Sequence, residues 1–404
     1  MQVLKPLTLL CLLYSSLVLA NENTKELNTY ISEYKIEQFK YEYEKNEAEA
    51  AKLRDSWIAP LQINYSYSKS NPYGQEQTRT NAALKMDQPI FKSGGIYYGI
   101  KFAAASRLYT QYSVDVAKRK MIKDTITILM QIKQTALKIE VQKLQIKNSE
   151  INLEQKKEQY LSGQLDSGFL DDAIIQRNSV IQALYDVQTE KEKLITQFRT
   201  LSDASYETIE LPQLEMIDSE EFMSNNLLLK QGEAELQKNR YSKNITIAKY
   251  LPSVNFTAGY NYTKSEGQLF STMNVERDSY DYGIRANLPI DLNTFRDVES
   301  SKIDFLKSKV AIKDKTRELS ALFEQVMHNI DNYDKKIALS NETIKIYSRL
   351  LSDTKDLYEI GHKTQYDVET LNNSLKIQDY DTKIYELNKQ IVLLSLYEMY
   401  VNKD

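Results

Sequence analysis

Two stretches of the chain alternate strictly between apolar and polar positions, and each is opened and closed by a proline. After Ala59-Pro60, Leu61, Ile63, Tyr65 and Tyr67 fall on one face and Gln62, Asn64, Ser66 and Ser68 on the other. Before Gln88-Pro89, Ala82, Leu84 and Met86 oppose Lys85 and Asp87. After Leu251-Pro252, Val254, Phe256, Ala258, Tyr260 and Tyr262 oppose Ser253, Asn255, Thr257, Gly259 and Asn261. Before Leu288-Pro289, Tyr282, Ile284, Ala286 and Leu288 oppose Asp281, Gly283, Arg285 and Asn287. A period of two predicts strands with one apolar and one polar face. Each stretch is therefore a hairpin, 61–89 and 253–289, of strands about ten residues long. Asn71-Pro72-Tyr73-Gly74 and the polar run Ser265 to Asp278 are the connecting loops.

Everything else has a helical pattern. No proline lies between Pro89 and Pro212 or after Pro289, and Ala, Gln, Lys, Glu and Leu dominate both stretches. Leu319, Leu322, Val326, Ile330, Tyr333 and Ile337 step by three and four, which is a coiled-coil seam. The spacing predicts a helix from about Ser93 to Tyr160, a turn at Gly163–Gly168, and a return to about Leu201. It predicts the same from about Thr294 to Tyr358, with a turn at Gly361–Gln365 and a return to about Val401. Shorter helices, about Glu26 to Ser56 and Ser224 to Ala248, precede the hairpins. In each copy the short helix and the return helix together nearly match the long one, so two stacked helices can run along one.

The two halves are thus one unit written twice, with landmarks about two hundred residues apart. The first repeat spans 21–203 with its tip near 163–168, 204–223 is a linker, and the second repeat spans 224–404 with its tip near 361–365. Ten residues also suits a tilted strand that crosses a bilayer. Lys85, Asp87, Asp281 and Arg285 on the polar face fit a wet lumen. Ile63, Tyr65, Val254, Phe256 and Ile284 on the apolar face fit lipid, with tyrosines near the loops as an interfacial girdle. Four strands cannot close a barrel and leave two open edges. Three identical chains would supply twelve strands and a closed ring.

Composition narrows the class further. Residues 1–20 have Lys5, an apolar run from Leu7 to Leu19 and Val18-Leu19-Ala20, the pattern of a secretory signal peptide; the run is short for a membrane anchor. Cys11, the only cysteine, lies inside it, so the exported chain has no thiol chemistry. Formal net charge is −4, which gives no footprint for nucleic acid. His328 and His362 are the only histidines and are not spaced to share a metal. The acids follow helical faces as solvated charge. No enzyme, cofactor or metal site is indicated.

With these features the chain resembles the TolC family of outer-membrane efflux and secretion channels, along essentially all of its exported length. The resemblance rests on the duplication, the proline-bounded hairpins, Gln88-Pro89-Ile90-Phe91-Lys92-Ser93-Gly94-Gly95, and Tyr358-Glu359-Ile360-Gly361-His362-Lys363-Thr364-Gln365-Tyr366-Asp367-Val368. It implies an α+β membrane protein: a homotrimer with a twelve-stranded barrel in outer-membrane lipid and an α-helical periplasmic tunnel. A periplasmic adaptor (membrane fusion) protein and an inner-membrane pump of RND or ABC type would dock on it, making it a passive exit duct.

The resemblance also implies a gate at the tip. Tyr358, Gly361, Lys363 and Asp367 match the family's second-copy motif, in which the acid lies near the constriction while the tyrosine and basic residue hold the coils shut. The first copy keeps Gly163 but departs at Asp166, where Ser or Thr is usual, and at Phe169, where a partner acid often stands. Asp166 or Asp171 is then left to complete a tip-locking ion pair. The competing reading of these residues is plain turn and helix-cap chemistry. For the whole chain, the competing class is a periplasmic coiled-coil scaffold or pump adaptor, although adaptors carry one helical hairpin and a lipoyl-like β-domain.

Overall fold

The computed structural model of the chain describes residues 28–71, 74, 76–267 and 275–401. The expected signal peptide, and parts of both hairpin loops, lie outside the described residues. The elements in chain order are α1 (Glu33–Arg54), β1 (Gln62–Ser70), β2 (Gln77–Phe91), α2 (Gly95–Leu161) and α3 (Ser167–Leu201). They continue with α4 (Ser219–Ser224), α5 (Leu227–Lys249), β3 (Ser253–Glu266), β4 (Val275–Asn287), α6 (Thr294–Glu359) and α7 (Gln365–Tyr397).

The strands form one antiparallel sheet in the order β1-β2-β3-β4, so β1 and β4 are its edges. β2, β3 and β4 are 15, 14 and 13 residues long, more than the ten expected. The extra residues carry the strands past the apolar rows into charged positions such as Lys264, Glu266 and Glu276. Pro89 has no N–H to give the ladder, and the register shifts between Pro89 and Phe91.

At 67 and 66 residues, α2 and α6 each reach about 100 Å at 1.5 Å per residue. Each runs beside a pair of shorter helices stacked end to end: α1 and α3 on α2, α5 and α7 on α6. The joints are hydrogen-bonded. Ser32 N–H donates to Leu201 O at 2.8 Å, and Glu33 N–H to Asp203 Oδ2 at 2.9 Å. In the second repeat Leu227 N–H donates to Met399 O at 2.7 Å and Val401 N–H to Asn225 O at 3.2 Å. A helix junction normally leaves amides and carbonyls unpaired; here the two broken ends satisfy one another. Among the described residues the chain breaks at Ser32, where it makes its joint, and α1 runs on from Glu33; the expected helix start near Glu26 lies outside the described residues.

α2 also packs on α5 and α7. The lateral order is therefore α1/α3, then α2, then α5/α7, then α6: a wall one helix deep, with α1/α3/β1 on one edge and α6/β4 on the other. So thin a wall has little core, and what there is gathers at the joints. Ile126, Leu129, Met130 and Phe198 are fully buried in one cluster, and Phe222, Leu319, Leu393 and Leu396 in the other.

The linker between the repeats has structure of its own. It is packed onto the wall, and it includes α4. Ile217 and Phe222 are buried, and the Phe222 ring lies 5.5 Å from that of Phe323. Gln390 reads the linker backbone in both directions: its Oε1 accepts from Leu214 N–H at 2.9 Å, and its Nε2 donates to Leu214 O at 3.4 Å. Tyr30 and Tyr397 donate to Glu210 O and Glu215 O. The seven acids between Asp203 and Glu221 suggest a solvated connector. The apolar residues among and just after them, at Ile209, Leu211, Leu214, Ile217 and Phe222, set the conformation.

Candidate functional site

The register decides how the sheet is faced. Directly paired residues share a face, and the central rows join like with like, with Gln88 beside Phe256, Thr80 beside Tyr67 and Asp278 beside Tyr262 as polar exceptions toward the ends. On one face the rows are Val254–Ala286, Phe256–Ile284, Met86–Ala258–Tyr282, Ile63–Leu84–Tyr260–Tyr280 and Tyr65–Ala82–Tyr262. On the other they are Gln62–Lys85–Gly259–Asp281, Asn64–Ala83–Asn261–Ser279 and Asn255–Arg285 with Asp87 alongside. Ile63, Tyr65, Val254, Phe256 and Ile284 thus stand together on the apolar face, and Lys85, Asp87, Asp281 and Arg285 on the polar face. Tyr280 also belongs to the apolar face and extends the alternation read from Tyr282 onward.

The polar face carries a local network. Asn255 Nδ2 donates to Asp87 Oδ1 at 2.7 Å, and Arg285 Nη1 to Asp87 Oδ2 at 3.2 Å. Both partners of that ion pair are about half exposed or more, so it adds little stability. It places fixed charge on the wall.

At the far end, each Tyr-x-x-Gly motif is a helix stop. Gly163 and Gly361 have φ of 73° and 80°, left-handed values that disfavour a side chain. Gln164 N–H donates to Gln159 O at 2.9 Å and Gly163 N–H to Tyr160 O at 3.0 Å. His362 N–H to Leu357 O at 2.8 Å and Gly361 N–H to Tyr358 O at 3.0 Å repeat that pattern. Both are Schellman closures, with Tyr160 and Tyr358 as carbonyl acceptors.

The return helices start differently. Asp166 caps α3, its Oδ1 accepting from Gly168 N–H at 2.7 Å. Thr364 and Asp367 form a capping box at the start of α7: Asp367 N–H donates to Thr364 Oγ1 at 3.2 Å, and Thr364 N–H to Asp367 Oδ2 at 3.0 Å. These bonds from Thr364, with the nearby Lys363 charge, hold the Asp367 carboxyl below its usual range.

Among the described residues no ion pair joins Lys363 to Asp166 or Asp171. The contacts between repeats near the tip are instead Tyr366 OH donating to Glu158 Oε1 at 3.4 Å and Asn373 Nδ2 donating to Asn148 Oδ1 at 2.8 Å. Lys156 lies 6.0 Å from the centre of the Phe169 ring.

One residue was not singled out from sequence. Arg119, largely buried in α2, donates to Tyr400 O at 2.6 Å and Tyr397 O at 3.5 Å, so it caps the C-terminal end of α7 at the joint. Beside it Tyr43 bonds Asp115, and burial together with that carboxylate drives the phenol pKa up. An arginine within a basic run (Lys118, Arg119, Lys120) has no sequence signature that separates it from surface charge. Among the described residues no group of three or more His, Cys, Asp or Glu could hold a metal ion, and no helix is long and apolar enough to cross a membrane.

Residues 219–399, the second repeat with α4, match the family model for the outer membrane efflux protein. That repeat is similar to the outer membrane efflux protein family over this span. No curated protein sequence matches the chain. Three solved structures share the fold along nearly the whole chain. The Campylobacter jejuni CmeC outer membrane channel superposes with a TM-score of 0.72 at 14% identity, covering 95% of this chain and 87% of that one. The Vibrio cholerae outer membrane protein VceC gives 0.71 at 13%, covering 93% and 95%. The open state of the Neisseria gonorrhoeae MtrE outer membrane channel gives 0.63 at 11%, covering 92% and 87%. Identities this low speak to fold alone, and the shared fold includes the first repeat as well as the second.

Proposed function

We propose that three copies of this chain close into a twelve-stranded outer-membrane barrel continued by a periplasmic helical tunnel, forming the passive exit duct of a tripartite efflux or secretion system. One observation carries this reading: the wall has two different open edges, α1/α3/β1 and α6/β4, while its sheet is apolar on one face and polar on the other. A sheet like this cannot sit in lipid with unpaired edges, because bare amides and carbonyls are costly in hydrocarbon. Joining β4 of one copy to β1 of the next repairs both edges with one repeated contact, and head-to-tail contacts of this kind close into rings. The exposed apolar residues of α6, among them Ile303, Leu306, Val310 and Leu339, would be covered along the same seam.

In that assembly Ile63, Tyr65, Val254, Phe256 and Ile284 meet lipid, and Lys85, Asp87, Asp281 and Arg285 line the lumen. Tyr358, Gly361, Lys363, Asp367, Gly163 and Asp166 lie at the periplasmic tip, where an adaptor protein docks and passes on substrate from an inner-membrane pump. Threefold symmetry makes Asp367 a ring of three carboxylates, since Phe169 holds the equivalent first-repeat position. The capping box keeps that carboxylate ionised, and a ring of fixed negative charge favours cations. Single-channel recordings in planar bilayers test this: Asp367→Asn reduces cation over anion selectivity. Unchanged selectivity would make Asp367 a helix-cap residue only and place the constriction elsewhere.

A further inference from the structure

Where the sheet meets the helices, α1, α2 and α5 part to leave a groove of about 470 Å³, within the size range of small-molecule pockets. Its apolar wall includes Trp57, Ile96, Ile100 and Phe102, and Arg54, Lys92 and Lys249 stand around it. Trp57 is the only tryptophan in the chain.

The charges do not all cancel within the protein. Arg54 is held by Asp55 at 2.8 Å and Lys249 lies 3.9 Å from Asp297, while Lys92 has no carboxylate partner among the described residues. The groove therefore carries about one uncompensated positive charge. The N-terminus of α2 also opens here. Its cap, Gly94, has no side chain to bond the first-turn amides, and Ile96 lines the groove. A 67-residue helix thus adds partial positive charge beside Lys92.

The groove also lies at a defined depth. Gln88 leaves the sheet on the apolar face, in the row of Phe256 and Ile284. Its Nε2 donates to Trp57 O at 3.2 Å and its Oε1 accepts from Ala59 N–H at 2.9 Å. The Trp57 turn is thereby tied to the apolar side of the sheet's helical rim. On the reading of the chain as an outer-membrane barrel, that is the level of the periplasmic-leaflet headgroups, where tryptophan concentrates.

We infer that this groove binds one anionic glycerophospholipid, with its phosphate diester at Lys92 and the first turn of α2 and an acyl chain along Trp57, Ile96 and Phe102. The single negative charge of such a lipid matches the uncompensated charge of the site. Two glycines keep the groove open. A Cβ on Gly95 would reach ordinary contact with Ala248 Cβ and Lys92 Cβ at 3.4 Å, whereas a Cβ on Gly99 would meet nothing within 4 Å and would project into free space.

Gly99 therefore provides a test that leaves the fold alone, since replacing a glycine within a helix, here in the second turn of α2, favours the helix. The full-length chain is purified in detergent micelles doped with phosphatidylglycerol or phosphatidylethanolamine, and bound lipid is counted by native mass spectrometry. The wild-type chain retains one phosphatidylglycerol per copy, about tenfold in preference to phosphatidylethanolamine. Gly99→Phe, which fills the groove, and Lys92→Gln each lower that retention about tenfold. Lys302→Gln, on the exposed side of α6, leaves it unchanged, and so does excess inorganic phosphate. Retention unaffected by Gly99→Phe and Lys92→Gln, equal retention of the two lipids, or displacement by inorganic phosphate would each overturn the assignment. Density-gradient fractionation of the same cells reports membrane location independently. A chain that fractionates with the outer membrane yet holds no lipid refutes the site and leaves the duct standing.

Discussion

Four alanines of the sheet allow its orientation in the bilayer to be measured. Ala286, Ala258 and Ala82 lie on the apolar face in the rows of Val254, Tyr282 and Tyr262, and Ala83 lies on the polar face between Asn64 and Asn261. From the Val254 row to the Tyr262 row is eight residues of β3. At about 3.3 Å per residue and a tilt of about 40°, that is about 20 Å of height, close to the apolar band of an outer-membrane barrel. Ala258 sits halfway, at the midplane, with Ala286 and Ala82 each about 10 Å away toward opposite interfaces. Arginine at Ala258 then costs about 2–4 kcal/mol, while at Ala286 or Ala82 it costs about 0–1 kcal/mol. On the proposed barrel, arginine at Ala83 costs close to nothing, because it joins Lys85 and Arg285 on the polar face that would line the lumen. Starting every substitution from alanine removes differences in lost packing. The assay is urea unfolding from phospholipid vesicles, read by tryptophan fluorescence. A penalty that peaks at Ala258 and vanishes at Ala83 is expected. Equal penalties at Ala258 and Ala83 would refute the facing of the sheet.

Phe222→Ala removes the fully buried ring that anchors the linker against Phe323; it costs about 3–5 kcal/mol, and deuterium uptake rises across residues 204–218. Unchanged uptake would show that the linker is held by its backbone hydrogen bonds alone. Thr364→Ala breaks the capping box and costs about 1 kcal/mol, seen as faster exchange in the first turn of α7. The Asp367 carboxyl is depressed in the folded chain, so its stabilisation is complete above its ordinary value of 3.8 and is lost as pH falls through the lower folded value. Protection of that turn should therefore fall in acid in the wild type and change little with pH in Asp367→Asn.

The strands and long helices could be read from the sequence because each rests on a local period that the assembled wall preserves. Ile63 and Phe256 alternate with polar neighbours for the same reason that they share a face across the sheet. Leu319, Val326 and Ile330 recur at helical spacing and are buried. Tyr358 and Gly361 were legible as a break, and the structure shows the break to be a helix stop closed by their own backbone. The joints were harder to see. Ser32 interrupts a run with a helical period because its amide must reach Leu201, residues apart in sequence and adjacent only after folding. Arg119 and Gln390 were invisible for the same reason: each recognises a backbone group far away in the chain. At the linker, the abundance of carboxylates masked five apolar side chains that bind it to the wall.

Closure of the ring by edge strands is tested most directly by cross-linking β1 to β4 between chains. In a Cys11→Ser background, Ser66→Cys on β1 is combined in turn with Ser279→Cys, Asp281→Cys and Gly283→Cys on β4, all on the polar face. Within one chain β2 and β3 separate these strands, so a disulfide between them can form only between copies. Oxidation in intact outer membranes should give, for the pair in register, a covalent species of three chains and none larger. A ladder extending beyond three chains, or single chains for every pair, would contradict a closed trimeric barrel.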